Sequence, residues 1–183
     1  YQKTFTYYAA RTEKQMKNNP FRVAIITSSD KGFQGTRADL SGPRIAQLCS
    51  AHHFEVVHQI LLPDDLAKLS AEMSRICDED KADLILTTGG TGLSPRDYTP
   101  EATLAIAERL VPGIPEAMRY YGLMQTKRAM LSRGVAVIRK QTLIINLPGS
   151  VKSIEENLSY IIDQLPHALG LLKELPQEDQ QHS

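Results

Sequence analysis

From Leu84 to Glu101 the chain reads LILTTGGTGLSPRDYTPE, and after its first residues this stretch is built from side chains suited to polyphosphate chemistry. Gly89, Gly90 and Gly92 reach backbone conformations closed to other residues, so a loop made of them can turn amide N–H groups toward an anion. Thr91 and Ser94 add hydroxyls, Arg96 a planar fork matched to phosphate, and Asp97 a carboxylate of the kind that takes Mg2+. A lone Gly-Gly is more often a plain turn after a strand. Four polar groups of these types in the same loop favour a ligand site. The loop is not a P-loop, because no Gly-Lys-Ser/Thr follows the glycines, and the kinase and ATPase readings fall with it.

Such a loop needs a sheet behind it, and the flanking sequence supplies one. Phe21–Thr27, Phe54–Leu62 and Leu84–Thr88 read as strands rich in branched side chains, the last a continuous apolar run expected of a strand covered on both faces. Between them, helices are expected from Ser41 to about His52 and from Leu66 to Asp80, the second with Leu66, Leu69, Met73 and Ile76 at helical spacing. Pro100 fits a first helical position after Thr99, and that helix is expected to reach about Leu110. Pro112–Pro115 breaks it, and 116–127 is expected to be helical again. Gly134–Arg139 and Thr142–Leu147, joined by Lys140-Gln141, predict a hairpin. Ser153-Ile154-Glu155-Glu156 fits a capping box, which predicts a closing helix from Ser153 to about Lys173. Alternating strands and helices predict a three-layer α/β/α domain over 21–175, mostly parallel, with one antiparallel strand from the hairpin. Residues 1–20 are expected to form an arm or linker, and 176–183 a frayed tail; a start at Tyr1 fits a processed product or a piece of a longer polypeptide.

In open parallel sheets ligands bind beyond the carboxyl ends of the strands, and the polar residues collect there. The first strand ends in Thr27-Ser28-Ser29-Asp30, the second runs into Pro63-Asp64-Asp65, and the last into Asn146-Leu147-Pro148-Gly149-Ser150. If these strands are neighbours, Asp30, Asp64 and Asp97 share one rim with the glycine turn and Ser150, a set suited to a metal-bound polyphosphate. Taken singly, Asp64-Asp65 is better read as a helix cap, and Pro148-Gly149 as a turn. Joint placement at several strand ends is what favours a site. His52, His53, His58, His167 and His182 share no ligand spacing and are read as surface or packing residues. Lys127-Arg128 and Arg139-Lys140 read as solvated positives, with Arg133 the exception because it follows Ser132 near the hairpin.

Bulk properties narrow the class further. In 183 residues, 42% are hydrophobic and 23% charged, the balance of one ordinary globular domain. A formal net charge of +0 argues against a dedicated nucleic-acid binder. The two cysteines, Cys49 and Cys77, make neither a metal spacing nor a disulfide framework, which predicts a reducing, cytoplasmic setting. No apolar run approaches a membrane span.

The segment TTGGTGLSPRDYTPEAT, residues 87–103, resembles the hallmark of the molybdopterin-binding domain superfamily of molybdenum cofactor biosynthesis, which includes the MogA and MoaB proteins and domains of gephyrin and of plant cofactor-assembly proteins. The likeness extends over roughly 21–172, through Ser28-Ser29-Asp30, Leu62-Pro63-Asp64, Met130-Leu131-Ser132-Arg133, Val137–Gln141, Ile145–Gly149 and Lys152-Ser153-Ile154. The stretch LSRGVAVIRKQTLIINLPGSVKSI is especially similar to the MogA branch. The resemblance implies an enzyme that joins AMP from magnesium ATP to the terminal phosphate of molybdopterin and releases pyrophosphate. It implies a homotrimer with one molybdopterin pocket per subunit, and contact with a molybdate-inserting enzyme. By position it makes Asp64 and Asp97 the essential acids, holding Mg2+ and the nucleotide, and Gly89, Gly90, Thr91 and Gly92 the phosphate cradle. Asp30, Ser132, Pro148, Gly149 and Ser153 then border the pterin or the nucleotide, and Ser28, Arg96 and Glu101 join the binding residues. Gly122, Lys127-Arg128 and Tyr98 depart from the family's usual residues. A MoaB-type protein, a module that binds or delivers molybdopterin without adenylylating it, and one domain of a fused cofactor-synthesis protein are the alternatives.

Overall fold

The computed structural model describes residues 20–178, and the expected arm over 1–20 lies outside them except for Pro20. Six strands form one sheet in the order β2-β1-β3-β6-β5-β4: β1 (Arg22–Ser28), β2 (Glu55–Leu62), β3 (Leu84–Thr88), β4 (Arg109–Leu110), β5 (Ala136–Arg139) and β6 (Thr142–Leu147). Parallel ladders join β2, β1, β3 and β6, while β5 runs antiparallel to both β6 and β4. The three-layer, mostly parallel architecture with one antiparallel strand is therefore the observed one.

Alternate side chains of the central strands feed two cores. Val23, Ile25, Leu84, Leu86, Leu143 and Ile145 face one layer, made by α2 (Ser41–Ala51), α5 (Gly113–Gln125), α6 (Val151–Ile161) and α7 (Leu165–Glu178). Ala24, Ile26, Ile85 and Ile144 face the other, where Leu69, Met73 and Ile76 of α3 (Leu66–Asp78) and Ala102 of α4 (Thr99–Leu104) pack. Burial on both faces is why Leu84–Thr88 carries no polar alternation. A one-turn helix, α1 (Asp30–Phe33), follows β1. Two 3-10 segments complete the elements of the described residues, Lys127–Leu131 before β5 and Ile162–Gln164 before α7.

Three local expectations change. The helix opened by Pro100 stops at Leu104, and Arg109–Leu110 pairs with Ile138 and Val137 as an edge strand instead. Amides on either side lengthen that short ladder, Glu108 N donating to Ile138 O and Val111 N to Ala136 O. The closing helix starts at Val151, two residues before Ser153, because Ser150 is its cap and accepts from Ser153 N at 3.2 Å. It is also not continuous: the 3-10 turn at Ile162–Gln164 separates α6 from α7, which continues to Glu178, past the Pro176 at which the frayed tail is expected. Residues 179–183 lie outside the described residues.

The ladder register fixes where the strands end. Thr27 pairs with Thr88, Thr88 with Leu147, and Ser28 with Leu62. Four parallel strands thus stop level with one another, and the segments that follow them form a common rim.

Candidate active site

Two clefts open along that rim, one on each side of the crossing where Gly149 lies against Gly89. A cleft of about 430 Å3 is lined by Thr27, Ser28, Asp39, Ser41, Gly89 and Ser150, among others. A second, of about 240 Å3, is lined by Thr91, Gly92, Met118, Arg128, Ser132 and Ser153, among others. A Cβ on Gly149 would stand 3.3 Å from Gly89 Cα, so the loops after β3 and β6 touch. Thr88 Oγ1 donates to Pro148 O at 2.7 Å and Ser41 Oγ to Gly149 O at 2.9 Å, which pins the Pro148-Gly149 turn from below.

The glycine loop is shaped by its carbonyls. Thr99 Oγ1 donates to Gly89 O at 2.9 Å, and Thr99 N to Gly90 O at 3.1 Å. Arg133 N donates to Thr91 O at 2.9 Å, and Arg133 Nε to Gly92 O at 2.6 Å. All four carbonyls are drawn toward the fold. In a planar trans peptide the next N–H points opposite to the carbonyl, so the amides of Gly90, Thr91, Gly92 and Leu93 face the other way. Amides turned this way are of the kind that can meet an anion. Gly89 and Gly90 take φ of 89° and 63°, and side chains would clash there: a Cβ would meet Ser28 O at 2.2 Å and Thr99 Oγ1 at 2.5 Å.

Beneath the loop runs a buried polar ladder. Asn146 Nδ2 donates to Thr87 Oγ1 at 3.0 Å and to Thr103 Oγ1 at 2.9 Å, and Thr103 Oγ1 donates to Thr99 O at 2.8 Å. Among the described residues no buried side-chain nitrogen or oxygen lacks a partner, so the ladder is a rigid floor beneath the loop.

The acids gather at the same rim. Asp64 accepts from Ser28 Oγ at 2.6 Å and from Asp30 N at 3.0 Å, while Asp64 N donates back to Asp30 Oδ1 at 3.1 Å. Asp65, not Asp64, caps α3 by accepting from Lys68 N at 2.9 Å. Asp64 is thereby left to orient toward the rim. Arg96 reaches across to Asp30, with Nε at 2.5 Å from Oδ2, and donates to Asp64 O at 3.1 Å. That hydrogen bond from Arg96 holds the Asp30 carboxyl below the usual carboxylate range. Asp97 accepts from Ser94 N at 3.0 Å, and its carboxylate lies 2.9 Å from where a Gly92 Cβ would stand. Glu101 turns to Arg133, whose hydrogen bond lowers its carboxyl. Ser132, Pro148 and Ser153 all line the second cleft.

The carboxylates suit a magnesium ion carried by a phosphate better than a resident cage. Asp64 is oriented by two donors, yet each of its oxygens keeps a lone pair, and Asp97 spends one bond on its own loop. Mg2+ holds several waters and takes only one or two carboxylates alongside substrate phosphates. Among the described residues no group of three or more His, Cys, Asp or Glu side chains could hold a metal by itself.

The model for a probable molybdopterin binding domain matches residues 24–167, most of the chain and all of this rim. The chain belongs to that family. It is 43% identical over 148 residues to the molybdopterin adenylyltransferase of Escherichia coli K12, covering 79% of this chain and 75% of that enzyme. To gephyrin of Dictyostelium discoideum it is 41% identical over 176 residues, 90% of this chain but only 24% of that protein, so it spans about a quarter of the gephyrin length. Among solved structures it superposes on the MoaB protein of Thermus thermophilus with a TM-score of 0.79 at 49% identity, covering 83% of this chain and 96% of that one. A MogA structure matches with a TM-score of 0.77 at 35% identity, over 82% and 99% of the two chains.

Of the residues marked from sequence, Ser28, Asp30, Asp64 and Arg96 form one hydrogen-bonded cluster, Gly89 lies close enough to Ser28 that a Cβ on it would meet Ser28 O at 2.2 Å, and Asp97 sits at the end of the glycine loop. Two contributors to the rim carry little sequence signal. Asp39 accepts from Thr27 Oγ1 at 2.8 Å and from Ser41 N and Gly42 N at 3.0 Å, tying the start of α2 to the end of β1. Its place two residues before Ser41-Gly42-Pro43 was the available clue. Thr99 reads as a helix cap in sequence and serves the glycine loop instead. Away from the rim, Arg139 and Lys140 pair with Asp78, His58 with Glu72 and His52 with Asp163, in line with their reading as surface groups.

Proposed function

We propose that the rim transfers AMP from ATP to the terminal phosphate of molybdopterin, releasing pyrophosphate, as a step of molybdenum cofactor biosynthesis. The observation that supports this reading is the hydrogen bonding of four successive loop carbonyls, which turns the amides that follow them the other way, in the loop that ends at Asp97. The acceptor is already an anionic phosphate, so no strong base is required. What the reaction needs is two anions held together and charge offset at the α-phosphate. Mg2+ held by Asp64 and Asp97 would neutralise phosphate charge. Gly89, Gly90, Thr91 and Gly92 cradle the phosphates, with Ser28, Asp30 and Arg96 beside them. The larger cleft takes the nucleotide. The smaller one takes the pterin, where Pro148 and Met118 line an apolar wall and Ser132 and Ser153 supply hydrogen bonds; Glu101 acts through Arg133.

The working unit on this reading is 21–175, cytoplasmic, assembled as a homotrimer and passing its product to a molybdate-inserting enzyme. Exposed Tyr120, Leu123 and Met124 of α5, with Met130 and Tyr160 nearby in sequence or layer, support an assembly face; light scattering at three times the chain mass is the expected result. No helix of the described residues is long and apolar enough to cross a membrane. The 49% identity with a MoaB structure favours a second reading, a MoaB-type or non-catalytic molybdopterin module. Incubation with magnesium ATP and molybdopterin separates the two. Pyrophosphate release with an adenylylated pterin supports the transferase, and tight pterin binding without pyrophosphate supports the module.

A further inference from the structure

We infer that Arg133 is a positioning residue that aims the amide cradle, an inference that rests on the phosphate-cradle part of the proposed function. Its backbone and side chain together take two of the four loop carbonyls, Thr91 O at 2.9 Å and Gly92 O at 2.6 Å. Its Nη2 donates to Asp97 O at 2.6 Å, and its Nη1 pairs with Glu101 at the start of α4. The guanidinium therefore sets the amide of Leu93 and the backbone of Asp97 together, the Arg133 backbone N–H sets the amide of Gly92, and Glu101 holds the guanidinium in register. The contact is not a surface ion pair of opportunity. Three separate acceptors at fixed angles suit a planar fork, and an ammonium cannot serve them all. Arg133 also follows Ser132, which lines the second cleft, so the same residue joins that cleft's wall to the loop bearing Asp97.

The test uses the full chain with Arg133→Lys, which keeps the charge and loses the fork, and Glu101→Gln, which loosens the arginine without removing it. Binding of pyrophosphate and of adenosine is measured by calorimetry, with thermal melts as the check on folding. Arg133→Lys is expected to weaken pyrophosphate about 10-fold and leave adenosine affinity within about 3-fold, since only the phosphate contacts depend on aimed amides. Glu101→Gln should shift pyrophosphate in the same direction by about 3-fold. Where turnover is measurable, kcat of Arg133→Lys should fall roughly 100-fold, as expected for misplaced reacting groups. Unchanged pyrophosphate affinity in both variants overturns the inference, as does an equal loss of adenosine and pyrophosphate binding with a lowered melt, which marks a merely structural role. Absence of pyrophosphate binding in the unaltered protein overturns it as well. Arg133-dependent pyrophosphate binding without adenylylated product upholds it while rejecting the transferase reading.

Discussion

The two ends of the sheet each carry a cluster of charges, and they use them in opposite ways. At the amino ends of the strands, Asp83 is 3% exposed and fully engaged: Arg22 N and Nη2 each reach it at 2.8 Å, and Lys173 Nζ at 2.8 Å. Arg22 also donates to Asp80, so this cluster ties β1, the start of β3 and α7 together and closes on itself. At the carboxyl ends, Asp64 and Asp97 take uncharged donors from their own surroundings and keep lone pairs that those donors do not use. A closed cluster stabilises the fold. An open one holds its charges ready for a ligand, at some cost to stability.

The contrast breaks most sharply under substitution. Asp64→Asn or Asp97→Asn is expected to lower AMP transfer by about 1,000-fold or more, because each removes charge needed where phosphate charge must be offset. The melting temperature should move by no more than a few degrees in either variant; retained turnover in both would reject their role. Asp83→Asn should do the reverse, costing about 3 kcal/mol by denaturant titration because it removes the buried charge that Arg22 and Lys173 share, while turnover per folded molecule is unchanged. Gly89→Ala joins both effects. Its Cβ would press on Ser28 O, so a loss of about 2 kcal/mol and of phosphate binding is expected, measured by melt and by calorimetry.

The smallest effect is a pH dependence. Burial works to raise the Asp83 carboxyl, but hydrogen bonds from Arg22 and Lys173 outweigh it and hold it below the ordinary carboxylate range. Between the folded and the ordinary value the unfolded chain binds more protons, so the stability from this group is present above that range and is lost as pH falls through the folded value. Acid denaturation of Asp83→Asn should show a shallower slope there than the unaltered chain. An identical slope would move the acid sensitivity to other carboxylates.

Fold class was legible because buried central strands leave unbroken apolar runs and helices leave spaced ones. The parts that sequence misplaced are those decided by tertiary pairing. Arg109–Leu110 has no strand periodicity, and only Val137 and Ile138 beside it make it one. Ser153 fits a capping box as well as Ser150 fits a cap; the choice follows from the turn before them, which Thr88 and Ser41 pin in place. Asp64, Asp97 and the glycines were visible as a loop chemistry with a family likeness. The roles of Thr99 and Asp39 were not, since Thr99 bonds back to Gly89 and Gly90, and Asp39 joins Thr27 to the start of α2, only once the chain has folded. Arg133 could be singled out by position, but its inward turn onto the loop carbonyls is a fact of three dimensions.

The most direct test is a single-turnover reaction of the purified chain with magnesium ATP and molybdopterin, followed by chromatography of the pterin and assay of pyrophosphate. The expected result is one adenylylated molybdopterin per pyrophosphate released, with neither product formed by Asp64→Asn or Asp97→Asn. Bound molybdopterin with intact ATP and no pyrophosphate would contradict the account.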